Sequence, residues 1–301
     1  MAALAEFPGA IKQLFKKTTD IDLMPQASFN TYTVTLYDLR AWKPVDYKID
    51  ERLCTKPGSN ELLGCAPSIT GDLWACYLEK AFAVHCGGWD NIQGGQCTHA
   101  WRMLTGCKDQ YTFEEDENGM WSCGGDFNPN TKRWEKTANH REGGFVGSWP
   151  MAWPKVGGGG QLNSKVSSDD MFERMCAWDD ANYIIACGSS GDSDQEKRDG
   201  IVDGHAYTVL ACENDVAGTQ FDMIKLRNPW GNGEFEKGKW DDDGPFWDKY
   251  PEVKEALNPT LDVDDGIFWM EKDEFFRYFK TVYLCAMDMS DFIEQDEFHS
   301  V

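Results

Sequence analysis

Residues 204–213 read GHAYTVLACE and residues 225–232 read KLRNPWGN, and these two stretches dominate the interpretation of the chain. The first opens a strand-like run next to His205, and the second closes another run at Asn228. Two adjacent strands would bring the imidazole and the amide together, although they are 228 − 205 = 23 residues apart in the sequence. The second half of the chain is therefore expected to be built around paired strands.

A histidine beside an asparagine suits the activation of a cysteine nucleophile. The histidine takes the thiol proton, and a third group holds the ring in its productive orientation. Asparagine is neutral, so it orients the imidazolium without removing its charge from the thiolate. Each residue alone has a simpler explanation, since a lone histidine in an apolar strand is usually structural and an Asn-Pro pair is usually a turn. Only the pair in this order points to catalysis.

The first half of the chain favours helices with one hairpin. Alternating apolar residues between 32 and 50 predict two short antiparallel strands. Trp74, Leu78 and Phe82 are spaced to share one face of a helix, which the glycines at 87–88 should end. Residues 2–17 are also rich in helix formers, apart from an expected break at Pro8-Gly9.

The second half begins after a change in composition. Residues 114–155 are rich in Gly, Asn and Pro, which predicts a surface insertion, and the glycines at 157–160 predict a flexible hinge near a domain boundary. Ser167 and Asp170 are placed to cap a helix. Strands are then expected at residues 183–186, 206–211 and 221–226.

The composition excludes several classes of function. A formal net charge of −22, from 51 acidic and 29 basic residues, would repel a phosphate backbone, so nucleic acid is not an expected partner. The first eight residues are not expected to act as a secretory signal, and no apolar run approaches the roughly 20 residues that span a bilayer. The eleven cysteines include no CxxC pair, which favours buried free thiols over a zinc site or a disulfide set. We expect a reducing, cytoplasmic location.

Several segments together resemble the calpain family of cysteine endopeptidases. The segments that carry the resemblance are residues 204–207, 227–231, 49–53, 74–81, 265–270 and 275–279. The resemblance implies an α+β, papain-like two-lobe protease core, with a helical lobe followed by a β-rich lobe and the active site between them. It also implies that His205 is the base, that Asn228 orients it, and that Trp230 covers the pair. The partners would be protein or peptide substrates.

By the same resemblance, the first lobe spans residues 1–156 and contains an insertion at about 108–156 that has no clear counterpart. The second lobe spans residues 157–290, and an acidic tail follows at 291–301. In the family the nucleophile lies in a Gly-Asp-Cys-Trp segment, which would fall just before Met1, as would the glutamine that helps form the oxyanion hole. The nucleophilic cysteine is therefore expected to be absent from this polypeptide. The similar stretch at 71–74 carries Leu73 in place of cysteine and belongs to a later helix.

Two explanations of the missing cysteine stay open. The chain is either a part of an active protease or a pseudoprotease that binds without cutting. A calcium-binding interaction module is a further alternative, because the acidic residues do not depend on the thiol.

Calcium is the cofactor that the resemblance implies. The family's second-lobe ligand positions fall on Glu234, Asp242 and Asp265, with the carbonyl of Val263, and oxygen donors of this kind suit Ca²⁺. Ile267 replaces one acidic ligand, so weak binding is expected. In the first lobe the family's glutamate falls on Arg102, which predicts no comparable site there. A solvated acidic loop is the alternative explanation of the second-lobe cluster.

Overall fold

The computed structural model describes residues 1–18, 30–38, 41–67, 71–128, 130–134, 149–191, 193–261 and 263–293. Most of the predicted acidic tail lies outside the described residues. The described part is α+β, with helices packed beside a large antiparallel sheet, as the papain-like prediction requires. No helix in these ranges is long and apolar enough to cross a membrane.

Helices and one hairpin build the first lobe. Its elements are a 3₁₀ turn Ala2–Glu6, helix α1 Pro8–Phe15, strands β1 Thr31–Asp38 and β2 Lys43–Asp50, helix α2 Trp74–Cys86, a 3₁₀ turn Trp89–Asn91, and helix α3 Cys97–Thr105. The predicted hairpin is confirmed, because β1 and β2 pair antiparallel with Val34 opposite Tyr47. Helix α2 ends as predicted, since Gly87 adopts a left-handed conformation with φ of 89°.

Pro8 begins helix α1, although the sequence suggested a break at this point. Proline is accepted in the first turn of a helix, where its missing N–H would have no partner. The helix then buries Ile11, Leu14 and Phe15 against the hairpin. The apolar face of α1 therefore decides its position.

Nine strands form the central sheet. Its order is β14-β13-β12-β9-β15-β3-β4-β7, with β8 also paired to β4, and each of these pairings is antiparallel. The elements that follow α3 are β3 Gln110–Glu115, β4 Trp121–Gly125, β5 Phe127–Asn128, β6 Arg133–Trp134, β7 Trp149–Pro150, β8 Lys165–Val166, α4 Ser168–Asp180, β9 Ile184–Ser189, β10 Lys197–Arg198, β11 Ile201–Val202, β12 Ala206–Glu213, a 3₁₀ turn Val216–Gly218, β13 Met223–Arg227, α5 Phe246–Lys249, α6 Pro251–Leu257, β14 Ile267–Glu271, α7 Lys272–Tyr278, β15 Phe279–Cys285, and a 3₁₀ turn Ser290–Phe292.

The expectation of a surface insertion at 114–155 is wrong for its described strands. Trp121 in β4 is 0% exposed and Trp153 is 4% exposed, and both belong to the main core. Strand β3 lies between β4 and β15, so this segment extends the central sheet. Short strands interrupted by Gly and Asn show no clear hydrophobic alternation, so the sequence pattern did not predict them. The domain boundary near residue 156 stays a prediction.

Specific hydrogen bonds hold the glycines of the predicted hinge and cap helix α4. Arg174 of α4 donates to the carbonyl oxygens of Gly157 and Gly159 at 2.7 and 2.9 Å. Ser167 caps α4 by accepting from the Asp170 backbone N–H at 3.1 Å, and the Asp170 carboxylate accepts in return from the Ser167 backbone. The predicted capping residues are thus confirmed.

The two lobes share apolar contacts. The first-lobe core includes Ile184 and Ala186 of β9 and Cys285 of β15, which are all at most 3% exposed. The middle strands of the central sheet therefore pack against α3 and the first 3₁₀ turn, and a cleft remains between the lobes beside the start of β12.

Candidate active site

Strands β12 and β13 bring His205 and Asn228 together. They pair antiparallel with Val209 opposite Leu226, so the start of β12 lies beside the end of β13. His205 immediately precedes the first strand, and Asn228 immediately follows the second. The His205 Nε2 atom lies 3.1 Å from the Asn228 Oδ1 atom. The contact expected from the sequence is present.

The surroundings of Asn228 determine which of its atoms faces the histidine. Its side chain is fully buried, and Nδ2 donates to the carbonyl oxygens of Asn232 and Gly233 at 2.8 and 3.1 Å. Because Nδ2 is used as a donor, Oδ1 is the acceptor that faces His205. The imidazole proton is thereby assigned to Nε2, and Nδ1 keeps a free lone pair in the neutral ring.

Ser189, at the end of β9, holds the backbone of His205 in place. Its hydroxyl accepts from the His205 N–H at 2.9 Å and donates to the Val202 carbonyl at 2.6 Å. The Ser189 N–H in turn donates to the His205 carbonyl at 2.9 Å. This residue was not singled out from the sequence, because a serine after an apolar strand gives no signal of its distant partner.

Trp230 lies over the histidine ring. The two ring centroids are 4.6 Å apart with an interplanar angle of 47°, and the Trp230 backbone N–H donates to Asn228 Oδ1 at 3.1 Å. The side chain is 46% exposed, so it does not belong to a buried core. It limits the access of water to one side of the His205 and Asn228 contact.

Burial lowers the pKa of His205 below its ordinary value of 6.5, although the hydrogen bond with Asn228 and the charge of Asp194 act in the opposite direction. The neutral imidazole is therefore the resting form at neutral pH when no anion lies beside it. A neutral ring with a free Nδ1 is able to accept a proton.

A cleft of about 480 Å³ lies beside this pair. Its lining includes Met1 and Ala3 from the first lobe and Ala206 and Pro229, which directly follow His205 and Asn228. Cys97 also lines it, but burial raises the pKa of that thiol to about 11. None of the eleven cysteines, which all lie in the described ranges, makes a hydrogen bond with the His205 ring.

Comparison with known proteins agrees with this geometry. A family model described as "Calpain family cysteine protease" matches residues 1–286. The chain belongs to the calpain family. It is 24% identical over 281 residues to Calpain clp-1 of Caenorhabditis elegans, covering 90% of this chain and 29% of the relative. It is 25% identical to Calpain-A of Drosophila melanogaster over 284 residues, or 90% and 28% of the two chains.

The Calpain-2 catalytic subunit of Mus musculus is 27% identical over 272 residues, which cover 87% of this chain and 31% of that protein. The chain thus spans roughly 30% of the length of the curated relatives that it matches. These relatives match most of the chain, and residues 1–286, which the family model matches, include both His205 and Asn228.

An ion pair joins the first segment of this calpain-family chain to the strand that ends at Asn228. The Arg227 Nη1 atom contacts Glu6 Oε1, and both side chains are about 30% exposed. Burial raises the pKa of Glu6, although the charge of Arg227 opposes that shift. The contact spans 221 residues of sequence, and it ties the 3₁₀ turn at the start of the first lobe to the active-site strand.

The predicted calcium ligands lie near one another, but backbone groups occupy several of their oxygens. Glu234 Oε1 accepts from the N–H groups of Asp265 and Gly266, each at 2.9 Å, and Asp265 Oδ1 accepts from the Ile267 N–H at 2.8 Å. The Val263 carbonyl accepts from the Asp265 N–H at 2.8 Å.

Burial raises the pKa of Glu234 to about 7, and the charge of Asp242 adds to the shift. Negative charge is therefore concentrated here, and carboxylates are the donors that Ca²⁺ prefers. Within the described part of the chain, however, no three side chains of the His, Cys, Asp or Glu type are arranged to hold a metal ion.

In the first lobe, the position expected to lack a calcium ligand carries a buried ion pair. Arg102 of α3 contacts Asp126 Oδ2 through Nη1, and His99 Nε2 lies 2.7 Å from the same oxygen. Burial alone would raise the pKa of Asp126, but the His99 hydrogen bond and the Arg102 charge bring it below its ordinary value. The guanidinium supplies the positive charge inside this lobe.

Proposed function

We propose that this chain is the core of a calpain-type cysteine endopeptidase that acts on protein or peptide substrates inside the cell. His205 is the general base, Asn228 orients its ring, and Trp230 supports the pair. One observation carries the proposal: Asn228 is fully buried, with its amide fixed by two carbonyl oxygens, and presents Oδ1 to His205 Nε2 at 3.1 Å.

The arrangement supports a specific path for the proton. Nδ1 of His205 accepts the proton of a cysteine thiol, which leaves a thiolate able to attack a peptide carbonyl. The imidazolium keeps its second proton on Nε2, where Asn228 Oδ1 stabilises it without neutralising its charge. The same Nδ1 proton is then available to the leaving amine as the acyl-enzyme forms. Ser189 fixes the position of the imidazole ring by accepting a hydrogen bond from the His205 backbone N–H.

The nucleophile is the part of the proposal that residues 1–301 do not supply. We propose that it belongs to a Gly-Asp-Cys-Trp segment upstream of Met1, and Met1 and Ala3 line the cleft beside Ala206 in agreement with this idea. Expressed as given, the polypeptide should not hydrolyse casein in a thiol-dependent way. A version extended upstream with that segment should do so, and a matched version with Ala in place of the added Cys should not.

The two outcomes separate the main proposal from its alternative. A folded, extended version that binds peptide but cuts nothing would favour a pseudoprotease. Casein turnover by residues 1–301 alone, abolished by a thiol-directed epoxide, would show that another cysteine is the nucleophile.

Two substitutions in the extended version test the separate roles of the pair. His205→Ala should lower kcat by roughly 10³-fold or more, because the base is lost, whereas Asn228→Ala should leave a larger remainder, because only the orientation is weakened. Equal and complete losses in two folded variants would contradict the orienting role of Asn228.

Calcium dependence is a separate proposal. The acidic loop at Glu234, Asp242 and Asp265 has the charge for Ca²⁺ but not a converged set of donors. We propose that the ion binds there only when the loops move closer, with an affinity at the weak end of protein calcium sites, and no catalytic step depends on it here. A cytoplasmic location also stays a prediction, which the free thiols of the eleven cysteines support.

A further inference from the structure

Two cysteines meet where helix α3 leads into the central sheet. Cys107 lies in the turn after α3, and Cys285 is the last residue of β15. Gln110, the first residue of β3, is the register partner of Cys285. Its Nε2 atom donates to the Cys285 sulfur at 3.1 Å and to the Cys107 carbonyl at 3.3 Å, so one amide group holds both cysteines at the same corner.

The two thiols have different surroundings. Cys285 is 0% exposed, and burial raises the pKa of its thiol well above the ordinary value. Cys107 is partly exposed, and the hydrogen bond from the Cys285 thiol lowers its pKa, while the charge of Arg102 acts in the same direction. Of the eleven cysteines, all within the described ranges, Cys107 is the one whose pKa is lowered.

This asymmetry is typical of a redox-sensitive pair. Susceptibility to oxidation follows thiolate character and access to solvent, and a neighbouring thiol resolves the oxidised form. The other buried cysteines lack the first property, because burial raises the pKa of their thiols. Cys54 is exposed to solvent and serves as the reference thiol in the experiment below.

We propose that Cys107 and Cys285 form a peroxide-sensitive thiol pair that closes to a disulfide. The Cys107 thiolate attacks a hydroperoxide, so an S–O bond forms, the O–O bond breaks, and the departing oxygen leaves as an alcohol or water. The Cys285 sulfur then attacks the sulfenic acid at Cys107, so an S–S bond forms and the S–O bond breaks. Water leaves with the Cys285 proton, and the two thiols together lose two electrons to the peroxide.

The cross-link would affect the cleft through α3. This helix ends two residues before Cys107, and its Cys97, Ala100 and Leu104 line the cleft beside His205. A disulfide would tie the end of α3 to β15 and restrict the movement of one wall of the cleft. It would also close a loop of 285 − 107 = 178 residues, which favours the folded state by limiting the unfolded chain.

The experiment treats the reduced protein, residues 1–301, with a small excess of hydrogen peroxide and maps the disulfides by mass spectrometry. One linked peptide pair that contains Cys107 and Cys285 should form, and dithiothreitol should reverse it. The oxidised protein should unfold at a higher urea concentration than the reduced protein. Cys285→Ser should instead retain a sulfenic acid at Cys107 that dimedone labels, and Cys107→Ser should form neither product.

Cys54→Ser is the matched control, because it removes an exposed thiol and should leave the linked peptide unchanged. A measurement on the unsubstituted protein covers the case in which the Cys285 variant does not fold: at neutral pH, brief alkylation should label Cys107 before Cys54. The absence of the linked peptide, or earlier oxidation or alkylation of Cys54 than of Cys107, would overturn the proposal.

Discussion

In the first lobe the buried carboxylate of Asp126 pairs with basic side chains, whereas in the second lobe the carboxylate of Glu234 accepts hydrogen bonds from backbone N–H groups. Asp126 contacts Arg102 and His99, and its pKa falls below the ordinary value. Glu234 accepts two backbone N–H bonds, and its pKa rises to about 7. Asp126 is only 1% exposed, and Glu234 is less buried, so burial does not explain the difference.

The sign of the neighbouring charges explains why the pKa of one carboxylate falls and that of the other rises. A guanidinium lies beside Asp126, while Asp242 and Asp265 lie near Glu234. Backbone N–H groups favour the ionised form of a carboxylate, but two like charges and desolvation outweigh them here. The first lobe therefore places a cation beside its buried carboxylate, whereas the second lobe places carboxylates close to one another.

The largest expected effect comes from removing the first-lobe cation. Arg102→Met should lower the free energy of unfolding by about 3–5 kcal/mol, because it leaves the buried Asp126 charge with His99 but without the guanidinium. Urea denaturation followed by tryptophan fluorescence measures this loss. Lys56→Met is the control, because the ion pair between Lys56 and Glu61 is exposed and should contribute about 1 kcal/mol or less.

A double-mutant cycle shows whether the pair acts as a unit. Arg102→Met combined with Asp126→Asn should cost clearly less than the sum of the single substitutions, because the second change removes the charge that the first left behind. Additive losses, or an Arg102→Met variant as stable as the Lys56→Met control, would show that the guanidinium does not compensate Asp126.

In the second lobe, removing the negative charge of Glu234 should stabilise the protein at alkaline pH. The pKa of Glu234 is about 7 in the folded state against an ordinary value of 4.5, so the folded state binds more protons between these values. Stability from this group is present below about pH 4.5 and is lost as pH rises through 7. Glu234→Gln keeps an acceptor for the two N–H groups and should gain on the order of 1–2 kcal/mol at pH 8, allowing for partial exposure.

The measurement is the urea midpoint of both proteins from pH 5 to pH 8.5. Glu117→Gln, which removes the same charge from an exposed turn, should follow the unsubstituted protein. A Glu234→Gln profile parallel to the unsubstituted one at every pH would mean that Glu234 ionises normally in the folded state.

Much of the fold follows from local patterns in the sequence. The hairpin, α2 and the capping box of α4 are confirmed because alternation, helical spacing and capping residues act between near neighbours. Strand β3 escaped prediction, because its partner β15 follows more than 160 residues later. Strand β4 pairs with β3 and with the short strands β7 and β8, and its two glycines conceal the alternation that would otherwise mark a strand.

The same distinction applies to the site. The contact between His205 and Asn228 was predictable, because one residue precedes a strand, the other follows a strand, and the family motif includes both. Ser189 and the contact between Glu6 and Arg227 were not, because their partners depend on how β9 and the first turn pack. The resemblance placed Glu234 near Asp265, but it did not reveal that backbone N–H groups occupy their oxygens.

The smallest expected effect is the response of the second lobe to calcium. The clustered carboxylates of Glu234, Asp242 and Asp265 favour a cation, but binding competes with the backbone N–H groups that already donate to oxygens of Glu234 and Asp265. The dissociation constant should therefore be on the order of 10⁻⁴ to 10⁻³ M. With a value near 10⁻³ M, a Ca²⁺ concentration of about 5 mM would stabilise the protein by about 1 kcal/mol.

Calorimetric titration of residues 1–301 measures the affinity, and Asp265→Ala should weaken it because a donor and a charge are lost. Glu117→Gln should bind as the unsubstituted protein does. The comparison between the lobes adds a sharper criterion: calcium should reduce the pH-dependent instability attributed to Glu234, and it should leave the cost of Arg102→Met unchanged. If millimolar Ca²⁺ gives no heat, or if Asp265→Ala binds equally well, the backbone contacts hold these carboxylates more strongly than a cation can, and the acidic loop is only a solvated surface.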